Sequence, residues 1–286
     1  MKLLKYLTGL FFLLLHFVAG AQDKSLLWKV TGNGLAKPSY LFGTIHLVCK
    51  TDYVWTPTMA SSFDKAEKIC LEMDLDDMNV MMAATSGLID KTGKKLSSYF
   101  TKEQYALVRK YAKDSLGIDM SLIEMMKPVA LQTLMATRSS TCEDAVSYED
   151  NLMKGAQKAD KEVLGLESPE DQLKALESIP LDSVLKGVME TVEHKGATDT
   201  KEYDQLIAAY KKQDIAALYK MIMETGEFGN ATNVLVDDRN KKWIGVMKGM
   251  MAQNTVFFAV GAGHLWGQNG VISLLKKQGY KVEAMQ

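Results

Sequence analysis

Val256-Phe257-Phe258-Ala259-Val260 is an unbroken apolar run without polar alternation, the pattern of a strand covered on both faces of a sheet. It stops at Gly261 and Gly263, which permit a sharp turn, so the first polar side chain beyond the strand is His264. Asn269-Gly270 punctuates the chain, Val271 to Gln278 has helical periodicity with a lysine-rich last turn, Gly279 stands at C′, and Tyr280 to Met285 returns as a strand. Near the other end, Leu27, Lys29 and Thr31 alternate with Leu26, Trp28 and Val30, which predicts a half-buried strand. Gly32-Asn33-Gly34 turns it into Ser39 to His46, where a second aromatic and aliphatic strand meets glycine and then histidine. Both strands end in Gly-x-x-His, and the two histidines are 218 positions apart, so only folding can bring them together.

Between these ends the pattern is mainly helical. Thr56-Pro57-Thr58 opens a short amphipathic helix that ends around Lys68, and Ile69 to Asp74 alternates as a strand with Glu72 and Asp74 on one face. A helical block spans about 76–160, with Thr101 and Gln104 as a capping box and Lys127-Pro128 opening a further helix. Lys161 to Glu167 is a short strand, and Ser168-Pro169-Glu170-Asp171 supplies an N-cap, a proline at N1 and first-turn acids. A second helical block covers about 169–253, with breaks near Gly196, Gln213 and Gly226 to Gly229. This order predicts an α/β (α+β) fold: one central mixed β-sheet, with large helical insertions packed around it or forming a lid.

The first residues stand apart. Lys2 and Lys5, the apolar run Leu10 to Val18 and the small residues Ala19-Gly20-Ala21 read as a signal peptide cleaved after Ala21, so 22–286 is expected to be one exported domain, periplasmic or secreted. No later segment reaches the ~20 apolar residues of a membrane span. With Lys2 and Lys5 gone, the 34 basic and 35 acidic residues become 32 and 35, a net charge of −3 that offers nucleic acid no long-range attraction. Cys49, Cys70 and Cys142 match no zinc cluster; a Cys49–Cys70 disulfide and three buried thiols are both open. The eighteen methionines are expected to be mostly core.

Four strand ends carry ionisable side chains: His46, Glu72, Glu167 and His264. Two imidazoles and a carboxylate suit Zn, Mn, Fe or Co and leave positions for water and substrate, while the other carboxylate could act as general base. Arg239 could clamp a substrate carboxylate or an oxyanion. His194 reads as a helix C-terminal residue, and Asp74-Leu75-Asp76-Asp77 lacks the glycine and terminal glutamate of a calcium loop, leaving Asp76 as a helix cap. The chain has no His-Glu-x-x-His, Gly-x-Ser-x-Gly, P-loop or Gly-x-Gly-x-x-Gly motif, which removes serine-hydrolase, nucleotide-binding and dehydrogenase readings.

Tyr40 to His46, Leu71-Glu72-Met73-Asp74, Gly165-Leu166-Glu167-Ser168 with Gln172, Asp238-Arg239-Asn240 with Trp243, and Val260 to Leu265 together resemble the TraB/GumN family over nearly the whole mature chain. That family is related to the Tiki proteins, membrane-anchored metal-dependent proteases acting on the N-terminus of Wnt. The resemblance implies an erythromycin esterase-like fold and a hydrolase using Mn or Co, and it maps site residues onto His46, Glu72, Glu167, Arg239 and His264. In that reading His46, Glu72 and His264 hold the metal, Glu167 activates or orients water, and Arg239 binds a carbonyl oxygen or substrate carboxylate. The chain departs from the family pattern at Val129, where tryptophan is common, and at Ser147-Tyr148-Glu149-Asp150, which lacks the glycine expected before the aspartate. The expected partner is a peptide or small-molecule substrate. The alternatives are a metal-free esterase-like hydrolase with a histidine base, and a non-catalytic protein that sequesters a peptide.

Overall fold

The structure is a computed structural model that describes residues 24–138, 142, 144–194, 200–224 and 231–286. The leader and the breaks expected at Gly196 and Gly226 to Gly229 lie outside the described residues.

Among the described residues, six strands form the central sheet: β1 (Leu27–Gly32), β2 (Ser39–Thr44), β4 (Lys68–Leu71), β6 (Glu162–Gly165), β7 (Val256–Gly261) and β8 (Tyr280–Met285), in the order β6-β4-β7-β2-β1-β8. The strands β6, β4, β7 and β2 are mutually parallel neighbours, and β1 pairs antiparallel with both β2 and β8. The sheet is mixed, as the order of elements predicts. Phe257 and Phe258 in β7 are fully buried, in keeping with an apolar run covered on both faces. A second sheet, absent from the sequence reading, joins β3 (Leu47–Cys49) and β5 (Ala145–Ser147) antiparallel, with Leu47 opposite Ser147. Three-residue strands carry too few positions to show a period.

The helices begin where capping chemistry places them. Thr56 caps α1 (Pro57–Lys65), Thr101 and Gln104 exchange hydrogen bonds at the start of α3 (Lys102–Leu116), and Ser168 caps α7 (Pro169–Leu176). Gly279 takes φ +90° after α12 (Val271–Lys277), the left-handed C′ position its sequence context predicts. The cap of α2 (Met78–Gly87) is Asp77 rather than Asp76, its carboxylate accepting from Asn79 N at 2.7 Å.

The two helical blocks interlock. In the first, α3, α4 (Met120–Ile123) and α5 (Pro128–Arg138) share a core with α8 (Leu181–Glu193) of the second, through Val108, Met120, Leu131, Met135 and Val188. The larger core takes in the sheet, α6 (Tyr148–Lys158), α9 (Thr200–Lys211), α10 (Ile215–Glu224), α11 (Asp238–Met251) and α12.

Two expectations need correction. The disulfide is Cys49–Cys142, with Cα atoms 5.8 Å apart, and Cys70 is a buried free thiol. The register of β3 on β5 sets Cys49 opposite Ala145, three residues from Cys142, whereas Cys70 lies fully buried within β4. The methionines divide: Met59, Met120, Met135, Met247 and Met251 are core, but α2 exposes Met78 and Met82 at 70 % and 65 % and has no buried residue.

Candidate active site

Because β6, β4, β7 and β2 are parallel neighbours, their carboxyl ends share one edge of the sheet, where α/β proteins gather ligands. In spatial order that edge delivers Glu167, Glu72, His264 and His46. β4 stops at Leu71, three residues before the alternation suggests, so Glu72 is the first residue beyond it. The turn is held by Leu166 N and Glu167 N, which donate to Leu71 O and Glu72 O at 3.0 Å each. Gly165 makes the close approach possible: a Cβ there would lie 2.6 Å from Asp74 N.

Arg239, from the first turn of α11, ties these ends together. Its Nε donates to Glu167 Oε1 and Oε2 at 3.1 and 3.0 Å, and Nη2 donates to Glu167 Oε1 at 2.6 Å and Glu72 Oε2 at 2.5 Å. Its Nη1 donates to Leu235 O at 3.0 Å and faces His264 Nε2 at 3.2 Å. All five guanidinium N–H groups therefore have partners. Leu235 belongs to a π-helical turn, Asn233–Asp237, that runs into α11. Trp243, one turn beyond Arg239, donates from Nε1 to Glu167 Oε2 at 3.0 Å, lies beneath the guanidinium at 4.8 Å and packs against the His264 ring at 4.5 Å. Glu167 is thus engaged by both Arg239 and Trp243, and Arg239 by Glu167, Glu72, Leu235 and His264. Both organise the edge.

Glu72 faces the histidines. Its Oε1 accepts from Gly261 N at 2.8 Å and lies 3.8 Å from His264 Nε2. Burial alone would raise its carboxyl, but Arg239, His264, His46 and the Gly261 amide outweigh that and hold it down to about 2. Burial pushes the His264 imidazole down to about 4, so it is neutral at physiological pH. Its Nδ1 meets Asn240 Oδ1 at 2.7 Å, and Asn240 Nδ2 donates to Asn269 O at 2.9 Å. Since Arg239 can only donate, His264 Nε2 is the acceptor and Nδ1 carries the proton.

His46 sits beside this cluster with its side chain 72 % exposed, yet close enough for Glu72 and Arg239 to act on its proton affinity. Its Nδ1 contacts Glu149 Oε1 at 3.2 Å, and that carboxylate pushes the imidazole up to about 9. Glu149, in the first turn of α6, also accepts from Thr44 Oγ1 at 2.9 Å and Ser147 Oγ at 3.2 Å. Sequence reasoning gave Glu149 no role, because an acid just after a serine cap reads as a helix-terminal charge. His194 stands at the C-cap of α8, as expected.

The residues suit a divalent ion in kind. Each histidine has one ring nitrogen held by an oxygen, from Asn240 or Glu149, the arrangement that orients imidazole ligands. Among the described residues, however, no three His, Cys, Asp or Glu side chains converge as a ready metal centre. Glu72 and His264 are together, His46 is turned to Glu149, and Arg239 Nη1 shares the His264 Nε2 lone pair.

Among the described residues no helix is long and apolar enough to cross a membrane. The chain is 22 % identical to Metalloprotease TIKI2 of Danio rerio over 93 % of its own length and 62 % of that protein's. It is 21 % identical to Metalloprotease TIKI1 of Homo sapiens over 92 % and 62 %, and 22 % identical to a Metalloprotease TIKI homolog of Amphimedon queenslandica over 94 % and 63 %. It thus spans a little over three-fifths of the length of these relatives. No solved structure matches. The profile of the TraB/PrgY/gumN family matches residues 26–284, and the chain belongs to that family.

Proposed function

We propose that this protein is an exported metal-dependent hydrolase of peptides or related amides, working at the edge where Glu72, His264 and His46 gather. One observation carries the reading: two histidines leaving adjacent parallel strands share the edge with a buried carboxylate, Glu72, and each has Nδ1 engaged by an oxygen, so that Nε2 is the atom a ligand would take, at His264 in exchange for its contact with Arg239. The similarity to proteins named metalloproteases points the same way.

His46, Glu72 and His264 would hold the ion, taking one of Arg239's five partners and leaving its bonds to Glu167 in place. Such an ion, Mn or Co by family resemblance and Zn by ligand type, supplies a hydroxide near neutral pH and polarises a carbonyl. Arg239 and Glu167 position Glu72, and Asn240 positions His264. Export is supported by the leader pattern before Gln22 and by the Cys49–Cys142 disulfide, which suits an oxidising compartment.

A second reading, favoured by the Arg239 contact on His264 Nε2, is a metal-free esterase-like hydrolase in which His46, backed by Glu149, is the base in its unprotonated form, so that activity would rise with pH toward about 9. Calorimetric titration with Mn, Co and Zn of the protein and of its His46→Ala and His264→Ala variants separates the two. Uptake of about one equivalent, abolished by either substitution, supports the metal reading, and a peptide-library cleavage screen then tests the substrate class. No uptake, or uptake that survives both substitutions, overturns it and leaves the metal-free enzyme or a peptide-sequestering protein, which cleavage of the same library distinguishes.

A further inference from the structure

We infer that Glu149 is the positioning residue of His46, held for that task by the β3–β5 ribbon and its disulfide. The inference deepens the proposed function, because it rests on the reading of His46 as a working residue of the site.

The geometry is built from both sides. His46 immediately precedes β3 and Glu149 stands two residues after β5, and the antiparallel register, Leu47 opposite Ser147, brings those two ends side by side. Cys49–Cys142 closes the far end of the ribbon. The start of α6 cannot drift: Ser147 caps it by accepting from Asp150 N at 3.1 Å. Tyr148 is fully buried, with its Oη accepting from Val54 N at 2.7 Å and donating to Val54 O at 3.0 Å. Its ring stacks on Tyr53 at 4.4 Å.

Within that frame the Glu149 side chain, 17 % exposed, gives one oxygen, Oε1, to both Thr44 Oγ1 and His46 Nδ1. Thr44 is 2 % exposed and ends β2, so Glu149 is fastened to the sheet on one side and to His46 on the other. A glutamate serving only the helix terminus would gain as much from the dipole at the surface and would avoid the cost of burial. A carboxylate on Nδ1 fixes the ring plane and commits Nε2 to the ligand, whereas His46 without it is an exposed side chain with free χ rotation.

The first measurement needs no metal. Ring-carbon relaxation in protein labelled at histidine reports the order of each imidazole. In the full chain the His46 ring should be as rigid as a packed side chain, and Glu149→Ala and Glu149→Gln should loosen it to the mobility of a free surface histidine while His264 stays rigid. The isosteric Gln variant keeps the test valid if the Ala variant folds poorly. A His46 ring equally ordered in wild type and both variants overturns the inference, as does a mobile ring in wild type. The second measurement is affinity for Mn or Co: Glu149→Ala should weaken it about 10- to 100-fold, with no further loss when added to His46→Ala. A lowered melting temperature with unchanged affinity and ring order would assign Glu149 a structural role only. If wild type takes up no metal, the metal reading fails on its own, and the ring measurement still decides the role of Glu149.

Discussion

Arg239→Met should be the most damaging single change at the sheet edge, with a size that depends on pH in a defined direction. The substitution keeps an unbranched stem out to the position of Nε, loses the guanidinium beyond it and removes five donors at once. It leaves Glu72 and Glu167, with side chains 13 % and 5 % exposed, facing each other without a cation. Breaking a buried pair by deleting one partner costs about 3–5 kcal/mol at neutral pH, roughly 6–20 °C of melting temperature for a chain of this size. In the wild type, burial would raise the Glu72 carboxyl, and Arg239 is the largest of the charges that overcome it. A carboxyl lowered from 4.5 to about 2 stabilises the fold fully above pH 4.5 and loses that contribution as pH falls through 2. Without Arg239 burial dominates, the carboxyl titrates above its ordinary range, and the variant regains stability on acidification because protonation removes the uncompensated charge. The gap between the two proteins should therefore narrow from pH 7.5 to pH 5. Adding Glu167→Gln should recover part of the loss at pH 7.5. Urea denaturation at three pH values measures both effects. A gap under about 1 kcal/mol at pH 7.5, the scale of a surface ion pair, or a gap constant with pH, would refute the account of Arg239 as the tie between strand ends.

Other outcomes follow from the same contacts. Because Glu149 pushes His46 up to about 9, metal uptake at pH 7 should release close to one proton, and affinity should rise about tenfold per pH unit until near pH 9; calorimetry in buffers of different ionisation enthalpy counts the proton, and pH-independent affinity would contradict the assignment of His46 as ligand. Asn240→Ala should free the His264 tautomer and cost about 1–3 kcal/mol through lost buried hydrogen bonds, with long-range nitrogen–proton NMR expected to show the Nδ1–H form in wild type and a mixture in the variant. Cys142→Ser should cost about 2–5 kcal/mol in a chemical melt. In the wild type Cys70, fully buried and with its thiol pushed up by burial, should react with thiol reagents only on unfolding.

The strands of the central sheet were legible because their signals are local: the apolar run of β7, the alternation of β1, and glycine or proline at their ends. The shared edge was legible too, since parallel strands joined by long helical connections place their carboxyl ends together. What could not be read was partnership. Nothing in Asp238-Arg239-Asn240 distinguishes an arginine with five buried partners from one on a solvated helix face, because the difference lies in Glu72 and Glu167, on two strands far away in sequence. Glu149 was hidden for the same reason, and the disulfide was misread because its geometry depends on the three-residue ribbon β3–β5, too short to leave a periodic trace.

The charges at this edge explain why, in the proposed site, the His46 proton and a divalent ion would be alternatives. Glu72, Glu167 and Glu149 bring three carboxylates, Arg239 brings one guanidinium, and His264 is held neutral by burial. With His46 also neutral the cluster carries an excess of two negative charges in a partly buried setting, which is unfavourable. Protonating His46 removes one of them, and its rise to about 9 comes first from the hydrogen bond to Glu149 and then from the charges of Glu149 and Glu72. A divalent cation held as proposed would remove both and would need the His46 lone pair for itself. Glu149 and Glu72, which raise the proton affinity of His46, are thus also a source of the attraction that would strip its proton when an ion enters. Arg239 limits that attraction: with its charge deleted the edge would be more negative but no longer held in one geometry, so the variant should weaken selectivity among Mn, Co and Zn even where total uptake persists.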